Sequence, residues 1–325
     1  MQACVVKEPE GEFHWVDVPR PSLEANQVLV KVHASGVNPL DTKIRAGKAA
    51  HARQPLPAVL GLDMAGTVQE VAAGVTAFRP GDEVYGMAGG VGGLQGTLAE
   101  FVAADVDVLA YKPRNLSMRQ AAALPLATIT AWEGLVDRAK VHPGETVLIH
   151  AGAGGVGHIA VQMAGAYGAE VFATVSPSKK KIVEDFGAIA VDYRSASVEE
   201  YVASCTQGEG FDIVYDTVGG ATLDSSFLAV KRYTGRVLSC LGWGSHSLAP
   251  LSFRGASYSG VFTLLPLLTG ESRAHHGKIL AQAAGLVEAG KLQPLLNQQR
   301  FTAQDVGAAY TLVESGALGK VVVEL

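Results

Sequence analysis

The chain has 325 residues, of which 26 are basic and 31 acidic, so its formal net charge is −5. This acidic balance, without a basic stripe, argues against binding to nucleic acid. Hydrophobic residues make up 48% of the chain and charged residues 18%, which is the opposite of a disordered composition and enough for a large core. At this length we expect two domains or one large α/β unit.

The cysteines and the first residues give expectations about the cellular compartment. Cys4, Cys205 and Cys240 lie far apart and form no CxxC or Cys/His cluster, so neither a disulfide framework nor a thiolate zinc site is predicted. The first residues, MQACVVKEPE, have neither the basic nor the apolar segment of a secretion signal. The expectation is therefore a cytoplasmic protein with reduced thiols and no membrane partner.

The N-terminal third of the chain is predicted to be mainly β. Short apolar runs such as 28–32 and 66–71 are separated by Pro and Gly, which is typical of strands and turns. Residues 86–96, GMAGGVGGLQG, are rich in glycine but contain no GxGxxG and precede no helical pattern. We predict that this segment is a mobile surface loop and a candidate lid, and not a phosphate site.

After Pro125 the pattern changes to apolar strands that alternate with Ala-rich helical segments. This alternation is the signature of βαβ units and a parallel sheet. Strands are predicted at 146–150, 170–175, 189–192, 211–216 and 235–241, with a sixth at 258–263, and helices at 156–168, 178–187, 197–205 and 221–231.

The last part of the chain is predicted to contain helices near 275–289 and 303–315 and a final strand at 320–325. That strand has no partner in its own segment, so we expect it to return to the N-terminal sheet. The predicted architecture is α/β, with a discontinuous β-rich domain of residues 1–122 and 264–325. A doubly wound dinucleotide-binding domain of residues 123–263 would be inserted in it.

The strongest motif is HAGAGGVG at residues 150–157. Gly152, Gly154 and Gly157 form a GxGxxG between a buried strand and a helix, and a second apolar strand follows. One glycine permits the tight turn, the next lets the backbone approach a pyrophosphate, and the last lets the helix pack closely on the strand. The amides of Gly155 and Val156 would then face the phosphates at the positive end of the helix.

The end of the second predicted strand indicates which nucleotide is bound. An NAD enzyme places Asp or Glu there for the ribose hydroxyls, whereas this chain has Ser176, and Lys180 with a lysine on either side follows. Ser176 and the lysines favour a 2′-phosphate, so NADPH is predicted over NADH. Tyr193 and Arg194, after the third strand, are expected near the same point. The alternative for the lysines is a solvated helix face.

Together these features resemble the medium-chain dehydrogenase/reductases of the quinone oxidoreductase, or zeta-crystallin-like, branch over essentially the whole chain. The resemblance is carried by SGVNPLDTKIRAG (35–47), LPAVLGLDMAGTV (56–68), PGDEVYG (80–86), AAALPLATITAWEGL (121–135), HAGAGGVG (150–157), FDIVYDTVGG (211–220) and GKVVVE (319–324). It implies a GroES-like catalytic domain and a Rossmann NADP-binding domain with the nicotinamide in the cleft between them. It also implies a homodimer formed through Rossmann edge strands such as 258–263.

The resemblance also implies site residues. Zinc-dependent members carry Cys where this chain has Asn38 and His-Glu where it has Leu62 and Asp63, so no metal is expected here. Thr130 is implied near the nicotinamide, and Asp63 is interpreted as structural. Cofactor contacts are implied for Gly152, Gly154, Gly155, Val156, Gly157, Ser176, Lys180, Tyr193, Val218, Leu241, Gly242, Phe262 and Lys320.

Without a metal, the remaining chemistry is direct hydride transfer from NADPH to a quinone or an α,β-unsaturated carbonyl, which conjugation already activates. The candidate donors to the developing oxyanion are Asn38, Lys43 and Thr130. The alternatives are a turn residue for Asn38, a solvated position for Lys43, and a helix residue bonded to a carbonyl one turn back for Thr130. Many quinone reductases have Tyr where this chain has Lys43, which removes a phenolic donor.

Two other functions are left open by the sequence. One is an enoyl or alkenal reductase with a dedicated metabolic substrate. The other is a noncatalytic NADPH-binding protein with a structural or redox-sensing role, because no clear general acid is evident. A small-molecule substrate is expected for a reductase, and nucleic acid is not expected as a partner for either alternative.

Overall fold

The computed structural model describes residues 1–325. The chain folds into two compact units, the first of residues 1–129, 264–290 and 294–325 and the second of residues 130–263 and 291–293. None of the helices combines the length and the apolar character that crossing a bilayer requires.

The chain contains strands, α-helices and several short 3-10 turns. The strands are β1 (Gln2–Val6), β2 (His14–Asp17), β3 (Gln27–Val37), β4 (Ala58–Val59), β5 (Asp63–Val71), β6 (Glu83–Met87), β7 (Phe101–Asp105), β8 (Leu109–Tyr111), β9 (Thr146–Ile149), β10 (Glu170–Val175), β11 (Ile189–Asp192), β12 (Ile213–Asp216), β13 (Arg236–Ser239), β14 (Ser257–Gly260), β15 (Phe301–Thr302) and β16 (Val321–Glu324). The helices are α1 (Pro39–Arg45), α2 (Met118–Ala122), α3 (Pro125–Trp132), α4 (Gly157–Ala166), α5 (Lys180–Asp185), α6 (Val198–Thr206), α7 (Ala221–Ala229), α8 (Ala249–Arg254), α9 (Leu265–Thr269), α10 (Arg273–Glu288) and α11 (Val306–Glu314).

The first unit is built on the long strand β3. Its main sheet has the order β15-β16-β3-β5-β6-β8, with β7 also paired to β3, and a smaller sheet has the order β2-β1-β4. β16 runs antiparallel to β3, with Val321 opposite Val37, so the predicted return of the last strand to the N-terminal sheet is confirmed. Apolar side chains of β3 such as Val28 and Val30 are fully buried in this unit.

The second unit is a doubly wound parallel sheet, as predicted. Its six strands follow the order β11-β10-β9-β12-β13-β14 and all pair in parallel. The central strand β9 is apolar on both faces, since Val147, Leu148 and Ile149 are all fully buried. Such two-sided burial is what helices packed on both faces of a parallel sheet produce. The predicted sixth strand at 258–263 is shorter and begins one residue earlier.

The glycine-rich segment 86–96 differs from its prediction. Gly86 already belongs to β6, and Gly89, Gly90 and Val91 are buried. A Cβ on Gly89 would overlap the carbonyl oxygen of Gln95, and a Cβ on Gly90 would lie 2.6 Å from that of Gly61. The glycines therefore serve close backbone packing, and the prediction of a surface loop was wrong for most of this segment.

Candidate functional site

The turn between β9 and α4 uses glycine where a side chain would collide with its surroundings. A Cβ on Gly152 would lie 2.5 Å from the Cβ of Ala173 in β10, and one on Gly157 would overlap the carbonyl oxygen of Ala151. A Cβ on Gly154 would lie 3.0 Å from that same oxygen. The spacing of the glycines thus permits the close approach of strand and helix that the motif requires.

The same turn leaves backbone donors for a ligand. Gly152 donates its amide to the carbonyl of Thr174 at 3.1 Å, whereas the amides of Gly155 and Val156 have no acceptor within the chain. α4 begins at Gly157 and has 10 residues, so these two amides lie at the positive end of a helix. A turn of this kind fits the pyrophosphate of a dinucleotide.

The remaining predicted cofactor residues of the second unit follow the ends of its parallel strands. They are Ser176 after β10, Tyr193 after β11, Val218 after β12, Leu241 and Gly242 after β13, and Phe262 after β14. Because the carboxyl ends of parallel strands share one edge, these residues lie along the edge that carries the glycine turn. Ligands of open α/β sheets bind at this edge.

The residues predicted for the adenosine phosphate are accessible to solvent. Ser176 is half-buried, with its Oγ 3.3 Å from that of Ser178. Lys180 is 63% exposed and forms an ion pair of 3.6 Å with Glu184, one turn along α5. The Tyr193 ring is 53% exposed, and the guanidinium of Arg194 lies 5.8 Å from its centre. The residue that follows β10 thus presents a hydroxyl in place of a carboxylate, and the Lys180 ammonium follows at the start of α5.

A buried carboxylate, Asp216, shapes the next part of this edge and was not predicted. It ends β12 and accepts hydrogen bonds from the amides of Val218 at 3.0 Å and Gly219 at 2.9 Å. Its other oxygen accepts from the hydroxyl of Ser239 in β13 at 2.6 Å. Asp216 therefore fixes the turn that carries Val218. The signal that could have found it is an aspartate closing an apolar strand just before two glycines.

Thr130 lies in the second unit at the end of α3 and is buried. Its hydroxyl is 3.5 Å from that of Thr263, and its carbonyl accepts a hydrogen bond from the Tyr215 hydroxyl at 2.6 Å. The π-helix Glu133–Arg138 follows directly. A Cβ on Gly134 would lie 2.7 Å from Cζ of Tyr215, so this glycine makes room for the ring. Tyr215 thereby holds the helical turn that carries Thr130.

The first unit contains a second candidate site, a buried group of charged and amide side chains. We call it the polar cluster, and its members are Asn38, Asp41, Asp63 and Lys320. The sheet register explains why these distant residues meet. Val37 at the end of β3 is opposite Val321 at the start of β16, and Gly36 is opposite Asp63 at the start of β5. Residues 38, 63 and 320 therefore share one end of three neighbouring strands.

Each end of the Asn38 carboxamide is bonded within the polar cluster. Nδ2 donates to Oδ2 of Asp63 at 3.0 Å, and the Lys320 ammonium donates to Oδ1 of Asn38. The ammonium is also 4.0 Å from Asp63, whose other oxygen accepts the Leu126 amide at 2.9 Å. Asp41 accepts the backbone amide of Asn38 at 2.8 Å, while its Oδ1 has no partner. None of the four side chains is more than 5% exposed.

Burial dominates the protonation of the polar cluster. It raises the pKa of Asp41 to about 7 and that of Asp63 to about 6, because a carboxylate out of water loses its hydration. Burial also lowers the pKa of Lys320, while Asp63 and Asp41 oppose that change by favouring the ammonium. The charge of the cluster therefore changes near neutral pH.

The polar cluster unites residues that were predicted for different roles. Asn38 was a candidate oxyanion donor, Lys320 a cofactor contact and Asp63 a structural residue, and Asp41 was not predicted. Lys43, the other donor candidate of this unit, is exposed on α1 and is not part of the cluster. Asn38 and Asp41 are three residues apart at the start of α1, but sequence spacing does not connect them to Asp63 and Lys320, which lie in two other segments.

Comparison with known proteins gives two family models, one that matches part of the first unit and one that matches mainly the second unit. Residues 24–114 match the model of the alcohol dehydrogenase GroES-like domain, and residues 155–266 match the zinc-binding dehydrogenase model. The chain is 35% identical over 312 residues to an NADPH-dependent alkenal/one oxidoreductase, chloroplastic, of Arabidopsis thaliana, spanning 93% of this chain and 73% of that protein. It is 33% identical over 315 residues to a quinone oxidoreductase of Sus scrofa, spanning 95% and 92%.

A solved structure is more similar still. It is the crystal structure of an alcohol dehydrogenase superfamily protein from Novosphingobium aromaticivorans, with 55% identity and a TM-score of 0.98. The match covers 100% of this chain and 99% of that one.

Proposed function

The chain belongs to the medium-chain dehydrogenase/reductase superfamily, and from that premise we propose that it is a zinc-independent NADPH-dependent reductase of quinones or α,β-unsaturated carbonyls. The chain is an oxidoreductase of this superfamily, and relatives named for quinone and for alkenal reduction support the two acceptor classes. Both acceptors carry a conjugated carbonyl, which accepts a hydride without a metal to polarise it.

The observation that carries the proposal is the state of Asn38. Catalytic zinc is held by thiolate, imidazole or carboxylate ligands, whereas Asn38 is a neutral carboxamide whose oxygen accepts from the Lys320 ammonium and whose nitrogen donates to Asp63. An ammonium at hydrogen-bond distance also repels a cation. Leu62, at the next position that the resemblance relates to a zinc ligand, is a fully buried apolar side chain. These residues do not fit catalytic zinc.

We call the edge of the second unit that carries the glycine turn at 152–157 and Ser176 the cofactor edge. Its residues fit NADPH. The turn at Gly152 and Gly157 leaves no room for a Cβ, and the amides of Gly155 and Val156 are available to a pyrophosphate. At the end of β10, Ser176 and Lys180 would bind a 2′-phosphate, which a carboxylate in the same place would repel.

NADPH supplies the hydride in this chemistry, and the residues of the chain bind and orient. The oxygen of the acceptor gains negative charge as the hydride arrives, so a preorganised hydrogen-bond donor there lowers the barrier. We assign that donor to Asn38, with Thr130 as a positioning residue on the cofactor side. Water supplies the proton that completes the reduction.

The first test is NADPH oxidation with a panel of quinones and alkenals, followed in the near ultraviolet, with NADH and a chelator as controls. We expect turnover that prefers NADPH and resists the chelator. Lys180→Ala should raise the KM for NADPH about tenfold and leave that for NADH unchanged, since one lost charge-assisted contact costs about 1.4 kcal/mol. Lys181→Ala is the matched control, because Lys181 is 84% exposed and pairs with Asp185. Tight NADPH binding without turnover on any acceptor would replace the proposal by a noncatalytic role.

We also propose that the protein is a homodimer formed through the edge strand β14. This strand ends the parallel sheet, and its residues are mostly exposed, with Tyr258 at 38%. An open edge presents unpaired backbone groups to a second copy. Light scattering should give twice the mass of the chain. A Gly260→Pro variant should shift it to the monomer, because the amides of Ser257 and Val261 donate to β13 and its preceding residue, and the amide of Gly260 alternates to the open edge. A monomeric wild type would contradict this proposal.

A further inference from the structure

The presence of a buried ammonium at Lys320 is not explained by stability. Burying one ammonium and two carboxylates is costly, and an apolar group of similar volume would serve stability as well or better. Lys320 is 5% exposed, and its ammonium is directed at Asn38 and Asp63. The polar contacts of the Lys320 ammonium therefore lie within the first unit.

The charges of the polar cluster permit one orientation of the Asn38 carboxamide. With Oδ1 at the ammonium and Nδ2 at the carboxylate, both contacts are attractive hydrogen bonds. The flipped amide would place its NH2 group against the ammonium and its oxygen against the carboxylate, and both contacts would repel. Lys320 and Asp63 together therefore lock the amide.

The locked amide retains one donor. A carboxamide nitrogen has two N–H groups, and Asp63 accepts one of them. An ammonium on the carbonyl oxygen withdraws charge from the amide and makes the remaining N–H a stronger donor, since hydrogen bonds in a chain polarise one another. That N–H suits an oxygen on which negative charge develops.

We propose that Lys320 is a positioning residue, whose ammonium fixes and polarises Asn38 so that its free N–H stabilises the oxyanion of the reduced acceptor. The inference rests on the proposed function and assigns Lys320 a role other than contact with the cofactor. The group that the polar cluster stabilises is therefore the oxygen of the acceptor.

The test compares Lys320→Met with Lys112→Met. Lys112 is a matched control, because it is also a buried lysine of the first unit and donates to the carbonyls of Pro113 and Leu116 away from the polar cluster. We expect Lys320→Met to lower kcat about 30-fold with the Kd for NADPH unchanged, because an Asn38 donor that is neither fixed nor polarised stabilises the transition state less. Lys112→Met should leave kcat per folded molecule unchanged.

A double-mutant cycle decides whether Lys320 acts through Asn38. Asn38→Ala should lower kcat about 100-fold, as loss of an oxyanion donor does. Lys320→Met should then have almost no further effect in the Asn38→Ala background. Three results would each overturn the proposal. They are equal effects of Lys320→Met in both backgrounds, a raised Kd for NADPH with unchanged kcat, and a loss of activity that a smaller folded fraction explains completely.

A readout without turnover separates this inference from the proposed function. The side-chain NH2 signals of Asn38 in a nitrogen-15 NMR spectrum should shift in Lys320→Met and stay in place in Lys112→Met. If the wild type reduces no quinone or alkenal but the shift is seen, the proposed function fails while the lock on Asn38 stands. Unchanged Asn38 signals in Lys320→Met would refute the lock itself.

Discussion

The cofactor edge of the second unit and the polar cluster of the first are built in opposite ways. The edge consists of backbone amides, glycines and exposed side chains that follow consecutive parallel strands. The cluster consists of four buried side chains from three separate segments, held by charged groups and the hydrogen bonds between them. A site made of backbone depends on conformation, whereas a site made of buried charges depends on each side chain having its partner.

The two regions also respond to pH in opposite directions. Asp41 and Asp63 have pKa values of about 7 and about 6 in place of 3.8, so their folded forms hold protons that the unfolded chain releases. In the second unit, burial lowers the pKa of His150 from 6.5 to about 4, with Asp216 opposing the shift. Its folded form therefore lacks a proton that the unfolded chain binds.

The largest effect is expected from removing one charge of the polar cluster. Asp63→Ala removes the buried counter-charge 4.0 Å from the Lys320 ammonium and the carboxylate that accepts from the Leu126 amide, and breaking a buried pair in this way costs about 3–5 kcal/mol. Urea denaturation measures the loss. The control is Glu70→Gln, whose partner Arg20 is 46% exposed, and it should cost less than about 1 kcal/mol. Equal losses of unfolding free energy would show that burial adds nothing to the cost of removing the Asp63 carboxylate.

The cofactor edge should instead be sensitive to backbone shape. In Gly157→Ala the new Cβ would meet the Ala151 carbonyl, so the turn must move and NADPH affinity should fall about 100-fold, or about 3 kcal/mol. Gly165→Ala, in the same helix α4, meets nothing within 4 Å and should leave affinity unchanged. Titration of NADPH fluorescence measures both variants. A Gly157→Ala protein that binds NADPH normally would contradict the assignment of the turn.

The stability of the two regions should depend on pH with opposite signs. The stability that Asp41 and Asp63 contribute is present below pH 3.8 and is lost as the pH rises through about 6 and 7. The stability that His150 contributes is present above pH 6.5 and is lost as the pH falls towards 4. Asp41→Asn should therefore reduce the loss of unfolding free energy between pH 5 and 8 by about 3 kcal/mol.

Urea denaturation at several pH values tests this expectation. Asp17→Asn is the control, because Asp17 is exposed on β2 and bonded only to the side chain of Gln2. A pH dependence that is the same in wild type and Asp41→Asn would show that Asp41 does not carry a proton into the folded state.

The smallest effect concerns Thr130. Tyr215→Phe removes the hydroxyl that donates to the Thr130 carbonyl and leaves that buried oxygen without this donor, at a cost of about 1–2 kcal/mol. If Tyr215 positions Thr130, kcat should also fall severalfold while the Kd for NADPH stays constant. A stability loss with unchanged kcat would limit Tyr215 to a structural role.

Local patterns predicted the second unit well. Alternating apolar strands and helices and the GxGxxG turn are periodic and local, so the six parallel strands and the position of the turn could be inferred before any contact was known. The glycine-rich segment 86–96 was predicted to be a surface loop, which is wrong for most of it. Glycine permits both an exposed loop and close backbone contact, and the sequence does not distinguish the two.

The α/β class, the position of the glycine turn and the absence of an acid at Ser176 could be inferred from the chain alone, because each depends on neighbouring residues. The polar cluster forms only when distant segments pack together in the folded chain. Asn38 and Lys320 are 282 positions apart and meet because β16 returns to β3 in a register that places Val321 opposite Val37. Charge and burial then fix which atoms of Asn38 face the ammonium and the carboxylate, and those depend on packing that no local pattern encodes.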